Sequence, residues 1–274
     1  MTVTNAVETA MSWGTVSSAS MAGMVISLLL SVVLPIFLGI FIYKKTKAWV
    51  PAFFIGCGIF VGFAMILEQI CHAIVLTVTG SAIRDNIWLY AIYGGLAAAL
   101  FEECGRWIAM KFCLKKHLTR ENALMYGAGH GGIEAFLILG MSSMSNLLTA
   151  AMINGGLMEK TMTALEPAQQ EVTYHQLSVL WTTPAYQFYL APVERISAIA
   201  LQIALSILVY SAVKTGRKLQ LAAAFGLHFA VDFLTVICAA AIPTWALELG
   251  LLLVVAVICV VVYQLVYVQM AEKK

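Results

Sequence analysis

The sequence predicts an all-α, polytopic membrane protein: a bundle of about seven transmembrane helices with its N-terminus outside and its C-terminus in the cytoplasm. Three observations predict it. Apolar residues make up 61% of the 274 residues and charged residues only 11%, with a mean hydropathy of +0.90, a composition that belongs in lipid. Seven apolar stretches are each long enough to cross about 30 Å of hydrocarbon. Lysine and arginine gather in alternate connections, as the positive-inside rule requires of cytoplasmic loops.

The spans lie at about 20–43, 49–79, 87–111, 121–144, 189–213, 218–240 and 246–270. The 19 residues before span 1 (MTVTNAVETAMSWGTVSSA) hold no basic residue, so span 1 reads as a retained anchor rather than a cleaved signal. Lys44, Lys45 and Lys47 close it on the cytoplasmic side. Span 2 carries Glu68 and His72 in its outer half, and Arg84 is the only lysine or arginine between spans 2 and 3. Span 3 (IWLYAIYGGLAAALFEECGRWIAM) holds Glu102, Glu103 and Arg106, and ends at Lys111, Lys115, Lys116 and Arg120. Span 4 holds His130 and Glu134 in GHGGIEAF.

The external stretch at about 145–188 mixes apolar and polar residues and ends in Trp181, Pro184 and Tyr186, with Tyr189 just beyond. It reads as interfacial helices with an aromatic belt, either a spacer or a lid. Span 5 opens on Glu194 and Arg195 and is followed by Lys214, Arg217 and Lys218. Span 6 holds His228 and Asp232 in HFAVDF, and span 7 leads to Lys273 and Lys274. No repeat or low-complexity linker divides the chain, so residues 1–274 read as one integral membrane domain. The six cysteines form no CxxC pair and read as free packing residues. The net charge of +2 is accounted for by topology and gives no reason to expect nucleic acid.

An ionised side chain at mid-bilayer depth costs roughly 2.5–3.5 kcal/mol, so the charged residues inside the spans are the functional candidates. His130 and Glu134, like His228 and Asp232, stand four residues apart and share a helix face. Counting about 1.5 Å per residue from the basic clusters places Glu102 and Glu103 roughly 12–14 Å deep and His130 and His228 roughly 15 Å deep. Glu134 and Asp232 follow at roughly 21 Å. Matched depth lets separate helices gather a base, a water and an electrophile. Arg106 can pair with one of the two glutamates and leave the other free to exchange a proton with water; which glutamate does which stays open. His130, Glu134, His228 and Asp232 are of the types that bind Zn2+, although HExxH is absent. A metal-free site, in which Glu102 polarises water while the histidines hydrogen-bond it or an oxyanion, is the alternative, with the metal-capable site slightly preferred. The glycines of Gly127–Gly132 suit close approach, by another helix or by an extended substrate.

EExxR on span 3, GHGGxE on span 4 and HxxxD on span 6, in that order, resemble the YhfC family of intramembrane peptidases, which is related to the type II CAAX prenyl proteases and the PrsW proteases. The resemblance covers most of the chain, including the Glu194–Arg195 pair. It implies that Glu102 activates water, supported by Glu103 and Arg106, that His130 and His228 are the motif histidines, and that Asp232 fills the fourth polar position. Two departures stand out: the arginine follows the second glutamate by three residues rather than four, and the second motif carries both His130 and Glu134. The superfamily also resembles a non-proteolytic scaffold subunit of gamma-secretase.

The expectation is therefore a multi-pass cell-membrane enzyme that cleaves a membrane-embedded or membrane-associated protein or peptide. A non-catalytic scaffold or immunity-type protein is the alternative from another class, and a transporter a third, against which stands the lack of an inverted repeat. Nearer the outer face, Glu68, His72, Glu194 and Arg195 are expected to partner across helices, as a buried network or at a substrate entry. His117 and His175 read as interfacial.

Overall fold

The computed structural model describes residues 12–270. The first eleven residues of the leading stretch, and Lys273 and Lys274, lie outside the described residues. Seven helices are long and apolar enough to span a membrane: span 1 Ser18–Thr46, span 2 Pro51–Thr79, span 3 Ile87–Cys113, span 4 Arg120–Asn154, span 5 Ala185–Thr215, span 6 Lys218–Ala239 and span 7 Thr244–Tyr267. No strand occurs among the described residues.

Local chemistry sets the helix ends. Ser17, Asn86 and Thr119 accept hydrogen bonds from the first free amides of spans 1, 3 and 4, satisfying donors that a helix start otherwise leaves unpaired. Span 5 stops at Gly216, whose φ of 75° is left-handed and suits glycine. At the basic end of the bundle, Asn122 stitches two turns together, accepting from Trp49 N at 2.7 Å and donating to His117 O at 2.6 Å. The Trp49 and His117 rings stack at 4.1 Å, and His117 lies in the short helix Lys115–His117 between spans 3 and 4.

Span 4 runs to Asn154, ten residues beyond the end read from the sequence. The stretch Ser142–Asn146 is polar for a helix in lipid, holding three serines and an asparagine. In the fold, Ser142 returns its hydroxyl to Ile138 O and Leu139 O, within the helix. The helix then closes on Asn154, which bonds both the N–H and C=O of Val16. The segment between spans 4 and 5 is correspondingly shorter and forms two helices, Leu157–Met162 and Pro167–Thr182. Trp13, Tyr174 and Trp181 form an aromatic cluster there.

Span 5 is the most buried of the seven. Span 4 lies against spans 1, 2 and 5, span 3 against span 6, and span 7 against span 5. Small residues make this possible. A Cβ built on Gly129 would stand 1.9 Å from Phe53 O of span 2, and one on Gly132 would stand 2.6 Å from Pro35 Cβ of span 1. No side chain fits there, so the glycine run admits neighbouring helices. That decides between the two uses the sequence left open.

Candidate functional site

The contacts just described bring the charged residues of spans 3, 4, 5 and 6 together around one carboxylate. Glu102 Oε2 lies 2.9 Å from His130 Nε2 and 2.9 Å from Gln202 Nε2, which donates to it. It also stands 4.0 Å from His228 Nε2 and 4.0 Å from Arg106 Nη2.

Arg106 resolves the ambiguity between the paired acids. Its Nη1 donates to Glu103 Oε1 and its Nη2 to Gln202 Oε1, while Glu102 receives no direct bond from it. Glu103 is tied down further by His228 Nδ1 at 2.8 Å. Its Oε2 and Arg106 Nε have no hydrogen-bond partner among the described residues. Glu103, Arg106 and His130 are buried to 2% exposure or less. Glu102 instead borders a cavity of about 360 Å3 that His228, Glu134, Gln202, Asp232 and Arg195 also line. The carboxylate that takes no hydrogen bond from the arginine is thus the one at the cavity wall.

The predicted metal set is only partly convergent. His228 Nε2 lies 3.6 Å from Asp232 Oδ2, but Glu134 is engaged elsewhere, accepting from Gln202 Nε2 at 2.8 Å and from Arg195 Nη1 at 3.1 Å. Among the described residues no three His, Cys, Asp or Glu side chains are placed to share an ion. The donor chemistry fits zinc all the same. Two imidazole Nε2 atoms face one carboxylate oxygen, and the second nitrogen of His228 is fixed by Glu103, the support that metal-bound histidines characteristically have.

The outer residues do not pair across spans 2 and 5 as expected. Glu68 Oε1 meets His72 Nε2 of its own helix at 3.2 Å, since four residues place them on one face. His72 Nδ1 then reaches Tyr93 Oη of span 3 at 2.7 Å. Arg195 bonds its neighbour Glu194 and, across the interface that the glycines open, Glu134. Glu194 and Arg195 line the cavity, whereas Glu68 and His72 do not. His175 lies on the helix Pro167–Thr182, outside the site. Gln202 escaped the sequence reading because that reading followed ionisable groups. The signal available was an amide in the middle of the apolar run IALQIAL.

Comparison with known proteins agrees with this architecture. The family model described as "YhfC intramembrane metalloprotease" matches residues 30–259. A protein of Bacillus subtilis (strain 168) described as "Uncharacterized membrane protein YhfC" is 41% identical over 222 residues, covering 78% of this chain and 83% of the relative. No solved structure matches the chain. With its seven apolar helices, this multi-pass membrane protein belongs to the YhfC intramembrane metalloprotease family.

Proposed function

We propose that the protein is an intramembrane peptidase that hydrolyses a peptide bond of a membrane-embedded or membrane-associated substrate. The observation that carries the reading is the placement of Glu102: a carboxylate held by His130 and Gln202, not hydrogen-bonded by Arg106, and set in the wall of a cavity within the spans. In this reading a water beside Glu102 gives up its proton to Oε2 as its oxygen attacks the scissile carbonyl carbon, and Glu102 returns the proton to the leaving amine. His130 orients the carboxylate. His228, anchored by Glu103, presents Nε2 towards the same space and hydrogen-bonds the developing oxyanion or the water. Asp232 and Glu134 border the substrate's position. Zn2+ would draw on the imidazoles of His130 and His228, with Asp232 beside His228, once these groups drew closer than they stand here, and when bound it supplies a Lewis acid that acidifies water and polarises the carbonyl.

Burial makes the charge arrangement suited to chemistry that must exclude bulk water. Arg106 hydrogen-bonds Glu103 behind the cavity, and Glu102 faces the cavity with no hydrogen bond to the guanidinium, whose Nη2 stands 4.0 Å from Oε2. In this reading the ends bearing Lys44 and Lys111 face the cytoplasm, as the basic connections require.

The test compares cells carrying the wild-type chain with cells carrying Glu102→Gln, by mass spectrometry of protein termini. New termini inside or beside membrane spans, lost in Glu102→Gln at equal expression, support the peptidase. Identical termini, with the variant still supporting whatever assembly the wild type supports, would identify a scaffold.

A further inference from the structure

Gln202 is buried to 4% exposure in the middle of span 5, and both polar atoms of its side chain are engaged. Arg106 Nη2 donates to Oε1. Because a guanidinium has no acceptor, the amide cannot be turned the other way: the oxygen must face Arg106 and the NH2 must face away from it. That NH2 donates to Glu102 Oε2 at 2.9 Å and to Glu134 Oε2 at 2.8 Å. A glutamate here would keep an acceptor for Arg106 but present lone pairs to two carboxylates. A methionine would keep the volume and lose every bond.

We propose that Gln202 is a positioning residue for Glu102. It fixes Oε2 opposite His130, and by sharing one amide nitrogen between Glu102 and Glu134 it holds two carboxylates at a set spacing on the cavity wall. The charged group behind the cavity, Arg106 with Glu103, is thereby joined through one neutral side chain to the outer group, Glu134 with Arg195. Span 4 reinforces the placement: a Cβ on Gly131 would stand 3.0 Å from Gln202 Cβ, so the two backbones are already at packing distance. The inference rests on the peptidase reading for its catalytic consequence, but its geometric content stands apart from it.

The experiment uses the full chain in lipid vesicles, with Gln202→Met and Gln202→Glu each checked for a wild-type elution profile and melting midpoint. The infrared band of the Glu102 carboxylate is isolated as the difference between each protein and the same protein carrying Glu102→Gln. Cleavage is followed on the substrate found by the termini comparison. The expected result is a shifted Glu102 band in both variants, with kcat down by about 10–100-fold, the range typical of lost supporting hydrogen bonds, at unchanged KM. A Glu102 band and kcat that stay at wild-type values in Gln202→Glu would overturn the proposal, because only the Arg106 contact survives there. Wild-type cleavage by Glu102→Gln itself would sink the peptidase reading, and the infrared band would still decide the role of Gln202.

Discussion

Arg106→Met is the substitution that tests most directly how the buried charges are held. Arg106 is wholly buried and donates to Glu103 and Gln202. Removing it leaves Glu103 Oε1 with His228 alone and Glu103 Oε2 with no partner among the described residues. Breaking a buried ion pair from one side costs about 3–5 kcal/mol, and the stranded Gln202 oxygen adds about 1–3 kcal/mol. At about 2–4 °C per kcal/mol for a chain of this size, the pair alone lowers the melting midpoint in detergent by about 6–20 °C. Glu103→Gln in the same chain removes the stranded charge, so the double variant is expected to recover part of the loss. Strict additivity of Arg106→Met and Glu103→Gln in a double-mutant cycle, or a loss from Arg106→Met below about 1 kcal/mol, where ordinary exposed ion pairs fall, would refute the reasoning.

Three further outcomes follow from the packing and the site. Gly129→Ala sets a methyl group against Phe53 O and is expected to destabilise the chain by about 1–3 kcal/mol through overpacking, read as a lower melting midpoint. A Cβ on Gly94 meets nothing within 4 Å, so Gly94→Ala should leave the midpoint unchanged or raise it. Metal analysis of the purified protein is expected to find about one zinc per chain, the occupancy of a single site with three protein ligands. It should be lost in a folded His130→Ala/His228→Ala variant; equal zinc in both proteins would rule out this ligand set.

Much of the fold was legible because lipid imposes simple demands. A span must be apolar for its whole length, and basic residues must alternate between connections, so all seven helices emerge within a few residues at most ends. The exception, the far end of span 4, was hidden by serines that satisfy their hydroxyls within the helix and so need no water. The site was legible to the extent that it is charged. Glu102, His130 and His228 stand nine or ten residues from basic clusters, and the helices bring them together. Partner choice was not legible, because it depends on which helices touch. Glu134 shares a helix face with His130, yet its carboxylate is claimed by Gln202 and Arg195 of span 5, a contact no spacing within span 4 could reveal.

The glycine run and the charged cluster are best understood as one arrangement. Spans that carry buried charges must bring them within hydrogen-bond distance of one another, because stranded groups are costly in a medium without water. Bulky residues between spans 4 and 5 would hold the two helix axes apart and leave Glu134, Gln202 and Glu102 short of one another. Gly129 and Gly132 let span 4 sink against spans 2 and 1, and Gly131 lets span 5 close on it to where Gln202 reaches both carboxylates. His130 lies among these glycines on the same turns of span 4, wholly buried, with its ring edge-on to Phe60 at 5.2 Å and its Nε2 on Glu102. The small residues therefore do more than tighten the bundle: they set the helix separations at which the charged residues can satisfy one another while Glu102 is left facing the cavity.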